Sequence, residues 1–461
     1  QLWWGHRIPA YYNKHTGEVK VLMDPPEDME NWEQESDVLD TWFSSALWPF
    51  STFGWPNETE DLKRYFPTSV LVTGYDIIFF WVSRMIFQSL EMTRRRPFKE
   101  VVIHGLVRDE LGRKMSKSLG NGVDPIAVID QYGADALRYF LTTNSTPGQD
   151  MRYIDEKVAS ASNYLNKIWN SARYVLGILP EDFKEEEINS NDLSPLDQWI
   201  INRLEKTISS MTMNMDKYDF NAASNHLYNF VYDDFCSQYL EMSKVALNSN
   251  DEKVANITRQ VLVKCLKNII LLIYPYTPFI AEELYMSLPN HKESIMLESY
   301  PVYDTSKVNE EVEAEVTLLF DLIKDVRNYK IENKIAPNAK LDLSVNLKIS
   351  VFDLFETYLR RFTFSDVKFI GEEIINLRGE LKVYDNADML IVNEAGKEDL
   401  IKRIEKEIAD EENEIARGEK MLNNPNFLAK APADKVELER SKLNQHKENL
   451  ASLIEKKNNL L

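Results

Sequence analysis

The stretch Arg113-Lys114-Met115-Ser116-Lys117-Ser118-Leu119-Gly120-Asn121 decides how this chain is read. It places two lysines, two serine hydroxyls and a glycine hinge just after the apolar run Val101-Val102-Ile103-His104-Gly105-Leu106-Val107. Ammonium groups on long stems, set where a strand ends, suit a polyphosphate whose charge must be held during transfer. A solvated basic loop is the competing interpretation, and the surroundings separate the two. Upstream, Ser69-Val70-Leu71-Val72-Thr73 is a β-branched run between Pro67 and Gly74, which predicts a buried strand. Ile78, Trp81, Val82, Met85, Ile86 and Leu90 then recur at helical spacing, so a helix is expected from Tyr75 to Glu91. With a second strand over 101–107, the pattern is a right-handed crossover unit, half of a parallel nucleotide-binding sheet. Ligands of such sheets bind at the carboxyl ends of the strands, where Gly74-Tyr75-Asp76 and the lysine loop both fall.

At 461 residues the chain exceeds one domain, and 44% hydrophobic with 11% aromatic residues is enough to fill several cores. No apolar run reaches the length of a membrane span and no secretory signal opens the chain. The two cysteines, Cys236 and Cys265, lie in helical patterns without a Cys-x-x-Cys partner, and the six histidines form no ligand cluster. Disulfide and zinc frameworks are therefore poor fits, no protein-bound metal site is expected, and a cytoplasmic location is. The net charge of −20 argues against indiscriminate nucleic-acid binding. Between Arg94 and Lys117, however, eight basic residues stand against three acidic ones. A polyanion is drawn to that face and repelled elsewhere, which orients it.

Lys114-Met115-Ser116-Lys117-Ser118 resembles the second signature of class I aminoacyl-tRNA synthetases. Four further segments resemble the valyl-tRNA synthetases among them: Gln1 to Pro9, Asp40-Thr41-Trp42-Phe43-Ser44-Ser45, Gly74 to Trp81, and Asn424 to Pro432. Isoleucyl and leucyl relatives differ at the Trp42 and Asp76 segments, which disfavours the same-class alternative, an isoleucyl-tRNA synthetase. The resemblance runs from Gln1 into the C-terminal helices and is weakest between about Asn309 and Ala395. It implies a multidomain chain. Residues 1–125 would be the second half of a class I Rossmann-type α/β catalytic domain, and 126–155 a stem-contact linker. An all-α anticodon-binding bundle over 156–308, a small α+β domain over 309–395 and a coiled-coil tRNA-binding arm over 396–461 would follow. The chain opens at Gln1 in mid-motif and lacks a His-x-Gly-His signature. A C-terminal fragment, without the first half of the catalytic domain and the editing domain, is the expectation, and alone it is expected to be inactive in adenylation.

The family reaction joins valine to tRNA(Val) through a valyl-adenylate, using ATP with Mg2+, and it needs positioning and charge stabilisation more than a protein nucleophile. The resemblance makes Lys114 and Lys117 the catalytic cations on the β- and γ-phosphates, with Ser116 and Gly120 letting the loop close. Asp76, beside Gly74, would accept both ribose hydroxyls; an ordinary helix N-cap is the alternative. His104 and Gly105 resemble adenine-side contacts, although a histidine at a strand end is equally a structural residue. Trp42, Ile77 and Trp81 are the candidate valine pocket. Ile77 and Trp81 are four apart and expected on one helix face, with Trp42 closing the third side from a loop; plain core is the alternative. An apolar pocket discriminates weakly against a side chain of similar shape, so proofreading belongs in a separate domain.

Amphipathic stretches over Glu156–Leu179, Pro195–Lys217, Phe220–Leu247 and Glu252–Leu288 predict an antiparallel helical bundle. Leu341, Leu343, Val345, Leu347 and Ile349 alternate as a half-buried strand; Phe352–Phe362 is helix-like, and 366–370 and 389–392 are further strands. Ile401, Ile404, Ile408, Ile415 and Leu422, then Val436, Leu443 and Leu450, predict a helical hairpin whose turn Pro425 and Pro432 bracket. A tRNA-binding or assembly module without catalysis is the alternative of another class, and the complete lysine loop weighs against it. The expected partners are tRNA(Val), valine and ATP, with no membrane, and the chain is expected to be monomeric.

Overall fold

Residues 5–371, 374, 379–393, 397–424 and 433–460 are described by the computed structural model. They fall into two compact units: Gln1–Gly177, Thr207–Val231 and Leu266–Val302 form the first, and Ile178–Lys206, Tyr232–Cys265 and Tyr303–Leu461 the second. No described helix is long and apolar enough to cross a membrane. The Gln1–Trp4 part of the opening segment and the turn at Pro425 and Pro432 lie outside the described residues.

In the first unit, β1 (Ala10–Asn13), β2 (Val19–Val21) and β3 (Trp32–Gln34) make a small antiparallel sheet in the order β2-β1-β3. The β-branched run forms β4 (Thr68–Gly74), which pairs in parallel with β5 (Phe98–His104), so that Gly74 lies opposite His104. Ala46, Val82, Met85 and Phe98 close a core against the sheet, joined by Leu71, Trp81 and Val101. The second strand thus ends three residues earlier than the expected 101–107. At Gly105 the chain leaves β5, and β6 (Val107–Arg108) pairs instead with β7 (Met151–Arg152). Between β4 and β5 the expected single helix is three pieces: a 3-10 turn Tyr75–Ile77, a π-helical turn Ile78–Val82 and the α-helix Ser83–Thr93. A π turn widens the spiral, so four-residue spacing no longer marks one face. The helical part of this unit is tied by tyrosines: Tyr139 packs on Tyr164 and Tyr276, and the Tyr276 hydroxyl donates to the Phe220 carbonyl at 3.0 Å.

Helix Asp155–Gly177 matches its expected span closely. The expected 252–288 helix is broken at Tyr274–Thr277, where Pro275 and Pro278 lack the N–H that an unbroken helix needs, into Glu252–Ile273 and Pro278–Met286. The 220–247 stretch is likewise interrupted, by a ten-residue π segment, Phe230–Tyr239.

The second unit holds a four-stranded sheet of order β10-β11-β8-β9, built from β8 (Asp342–Leu347), β9 (Asp366–Phe369), β10 (Glu380–Val383) and β11 (Ala387–Val392). β8 and β9 are parallel and the other pairs antiparallel. Strand β10 and the long helix Glu310–Glu332 were not expected. Asn309 caps that helix by accepting from the Glu311 and Val312 amides, and three glutamates fill its first turn. Buried Lys330, near its end, donates to the carbonyls of Pro337, Ala339 and Thr363 at 3.0, 2.6 and 2.6 Å. The helices Lys397–Leu422 and Ala433–Leu460 pair with each other, with Ile401, Ile404, Ile408 and Leu453 in one cluster.

Candidate nucleotide-binding site

The ends of β4 and β5 bring three of the sequence candidates together. Gly74 closes β4 with an ordinary extended backbone, and a Cβ there would sit 2.7 Å from Asp76 Oδ1 and 3.6 Å from His104 Cε1. Glycine therefore keeps a space open between the carboxylate and the imidazole. Asp76 is exposed, and no hydrogen bond or ion pair among the described residues occupies its carboxylate, so the N-cap alternative finds no support in bonding. His104 Nδ1 lies 2.8 Å from the Gly105 carbonyl.

Gly105 has a different reason to be glycine. A Cβ there would lie 1.9 Å from the Gln149 carbonyl oxygen and 2.5 Å from the Asp150 nitrogen, so protein backbone fills the space a side chain would need. The approach lets Asp150 accept from the Leu106 amide at 2.7 Å, from the Tyr75 hydroxyl at 3.2 Å and from Arg108. These bonds, the Leu106 amide first and Arg108 next, hold the Asp150 carboxyl below its usual range.

The lysine loop leaves β6 through a tight turn, with an antiparallel bridge between Arg108 and Lys114. Asp109 is buried there and accepts from the Arg113 amide and Nε, both at 2.7 Å, and from Asn121 Nδ2 at 2.9 Å. The Asn121 bond, with Arg113 adding to it, lowers the Asp109 pKa to about 2. Ser116 donates its amide to Asn121 Oδ1 at 2.9 Å. Lys114 and Lys117 are both exposed, and no carboxylate among the described residues pairs with either ammonium.

The candidate pocket residues are placed differently from expectation. Trp42 belongs to a short helix, Thr41–Ser45, capped by Asp40, and not to a loop; its ring lies 5.8 Å from that of Phe80. The Trp81 indole donates to the Ser45 carbonyl at 3.0 Å, which joins it to the helix carrying Trp42. Ile77 ends the 3-10 turn, half-buried, and shares no α-helical face with Trp81. Arg84 holds the turn in shape: its Nη1 donates to the Phe79 and Phe80 carbonyls at 2.8 and 3.2 Å, with Phe43 and Phe80 under the guanidinium.

Three family profiles match in chain order: tRNA synthetases class I (I, L, M and V) over residues 22–154, the anticodon-binding domain of tRNA ligase over 197–346, and the valyl tRNA synthetase tRNA binding arm over 398–460. The valine–tRNA ligase of Bacillus subtilis (strain 168) is 48% identical over 450 residues, covering 96% of this chain and 51% of that protein. The valine–tRNA ligase of Staphylococcus aureus (strain JH9) is 49% identical over 465 residues, with 97% and 52% covered. The chain belongs to the valyl-tRNA synthetase family. It spans about half the length of the curated relatives it matches. The ternary complex of the agnB2 LeuRS of Agrobacterium radiobacter K84 with tRNA and LeuAMS superposes with a TM-score of 0.55 at 21% identity, over 67% of this chain and 42% of that one. A class I synthetase fold follows, comprising part of the catalytic domain and an anticodon-binding domain.

Within this valyl-tRNA synthetase family member, sequence reasoning missed Asp109, Asn121, Asp150 and Arg84. Asp109 and Arg113 are four apart on a turn, a pairing that inspection of the sequence could have flagged. The Asp150 bond to the Leu106 amide spans 44 residues and left no local signal.

Proposed function

We propose that the chain supplies the phosphate-gripping loop, the ribose carboxylate and the tRNA-binding domains of an ATP-dependent valine–tRNA ligase. The observation carrying this reading is the convergence of Gly74, Asp76 and His104 at the carboxyl ends of two parallel strands. The space beside the Asp76 carboxylate suits a ribose, and Lys114 and Lys117 supply unpaired positive charge for the β- and γ-phosphates of ATP brought with Mg2+. The valine carboxylate attacks the α-phosphorus, the bond from that phosphorus to the bridging oxygen breaks, and pyrophosphate leaves with the charge that the lysines offset. A hydroxyl of the terminal ribose of tRNA(Val) then attacks the acyl carbon, the bond from that carbon to the phosphate oxygen breaks, and AMP leaves. Trp42 and Trp81 wall the valine side chain beside Ile77. Residues 1–125 are the second half of the catalytic domain, 126–155 the stem contact, 156–308 the anticodon bundle, 309–395 the small domain and 396–461 the tRNA arm. A monomer in the cytoplasm completes the reading.

Two measurements test it. Filter binding at fixed salt is expected to show the 461-residue chain retaining tRNA(Val) in preference to tRNA(Ile); equal retention refutes the specificity. When the chain is joined to the part of the Bacillus subtilis relative that the match leaves uncovered, Lys117→Ala is expected to slow valine-dependent pyrophosphate exchange by about 10²-fold in kcat. An unchanged kcat removes Lys117 from the mechanism.

A further inference from the structure

The lysine loop divides into two parts of different rigidity. Its base is fixed on every side. The buried Asp109 carboxylate takes three hydrogen bonds, two from Arg113 and one from Asn121. The Asn121 amide uses both ends: Nδ2 also donates to the Lys114 carbonyl at 3.3 Å, and Oδ1 accepts from the Ser116 amide at 2.9 Å. Lys114 is pinned a second time by its bridge to Arg108.

The tip is otherwise. From Lys117 to Gly120 the bonds are internal and long: Gly120 N to the Lys117 carbonyl at 3.3 Å, Leu119 N to Ser116 Oγ at 3.3 Å, and Ser118 Oγ to Ser116 Oγ at 3.1 Å. Leu119 is 61% exposed. Gly120 has a φ of +61°, and a Cβ there would meet nothing within 4 Å. The tip therefore has room around it, whereas the base is held by side-chain hydrogen bonds.

We propose that Asp109 and Asn121 are positioning residues that lock the base of the loop, so that Lys114 is held in place while Lys117 rides a tip free to swing. The assignment of a polyphosphate as what the lysines grip rests on the function proposed above; the lock itself does not. On this arrangement the Lys114 backbone is preorganised, while its ammonium and that of Lys117 on the tip stay unpartnered among the described residues. Asp109 is also the wrong charge to leave near an anion. Its pairing with Arg113 cancels it locally, which is why a buried carboxylate is tolerated at the base of a cationic loop.

Limited trypsin digestion of the 461-residue chain reads the two lysines separately, without any nucleotide. In the wild type, cleavage after Lys117 is expected to outrun cleavage after Lys114 by on the order of tenfold, because only the second requires the base to open. Asp109→Asn places two amide donors face to face, and Asn121→Asp two carboxylates. Each is expected to raise cleavage after Lys114 on the order of tenfold and to change cleavage after Lys117 by less than about twofold. The double variant carrying both substitutions restores a donor–acceptor pair between the two side chains and keeps the Ser116 amide bonded, while giving up the bonds to Arg113 Nε and the Lys114 carbonyl. It is expected to protect Lys114 better than either single variant. Unchanged cleavage after Lys114 in the single variants overturns the proposal. So does a double variant no better than the singles, or an equal acceleration after Lys167, in the helix Asp155–Gly177, which would make the effect general unfolding. A failed lock appears here, and a failed nucleotide assignment appears in the exchange assay.

Discussion

Two glycines at neighbouring strand ends separate a residue kept for the fold from one kept for the site. At Gly105 the atoms in the way are backbone: Gln149 O at 1.9 Å, Gln149 C at 2.1 Å and Asp150 N at 2.5 Å. No rotamer change relieves that. Gly105→Ala has to push residues 149–150 back by about 1.5 Å to reach ordinary van der Waals separation. The segment is held to β5 and β6 by Gly148 N to Ile103 O at 2.9 Å, Met151 N to Leu106 O at 3.0 Å, Leu106 N to Asp150 at 2.7 Å, and the Arg108–Asp150 pair. A displacement of that size takes these groups past hydrogen-bonding distance. At about 1 kcal/mol each, four broken bonds predict a local destabilisation of about 4 kcal/mol. Native-state hydrogen exchange at the Leu106 and Met151 amides is the assay, and protection there should collapse while the Asp155–Gly177 helix keeps its own. Gly74→Ala is the internal contrast, because its new methyl clashes with the end of the Asp76 side chain, at 2.7 Å, and is in ordinary contact with His104 at 3.6 Å. Rotation of that carboxylate removes the clash, so stability should stay within about 0.5 kcal/mol of wild type while the carboxylate leaves its place. If Gly105→Ala exchanges like wild type, or Gly74→Ala unfolds the sheet, the distinction between the two is wrong.

Three further outcomes follow from the same structure. Lys330→Met removes three bonds to buried carbonyls and should cost about 3 kcal/mol in chemical denaturation. Burial lowers the Lys330 pKa, so the unfolded chain binds the proton more readily; wild-type stability should rise with pH in the alkaline range below 10.5, and the variant should lack that rise. Asp109, lowered to about 2 from 3.8, contributes fully above pH 3.8 and loses its contribution as pH falls through about 2. Carboxyl NMR should give that midpoint, and Asn121→Ala should move it back up; an ordinary midpoint in the wild type contradicts the bonding. Deleting residues 397–461 should weaken tRNA binding and make its logarithmic salt dependence shallower by about 0.9 for each double-stranded stem phosphate that the arm would neutralise. An unchanged slope would mean that the arm touches no phosphate.

Much of the first unit was legible in the sequence, because its signals are local. β4 lies between Pro67 and Gly74 and is built from β-branched residues, and helix Asp155–Gly177 repeats its apolar positions at helical spacing. The capping signal of helix Glu310–Glu332 was equally local, with Asn309 followed by Glu310, Glu311 and Glu313, and could have been read. What could not be read depends on distant chain. The end of β5 at His104 is set by Asp150, which captures the Leu106 amide and redirects the strand. The π turns at Ile78–Val82 and Phe230–Tyr239 are composed of ordinary helix and strand formers, and nothing in their composition marks the wider spiral.

The π turn after β4 shows why the candidate pocket residues were harder to place than the lysine loop. A loop signature depends on residues adjacent in sequence, so Lys114 and Lys117 stay exposed whatever the exact end of the preceding strand. A pocket depends on side-chain direction, and one extra residue per turn rotates every later side chain by roughly 100° relative to an α-helix. Ser83 and Arg84 determine where that extra residue sits: the Ser83 hydroxyl donates to the Phe79 carbonyl at 2.6 Å, and Arg84 donates to the Phe79 and Phe80 carbonyls. The turn in turn aims the Trp81 indole at Ser45 and brings Phe80 against Trp42. The direction of the candidate valine-pocket walls is therefore fixed from behind, by a serine and an arginine in the first turn of the following helix.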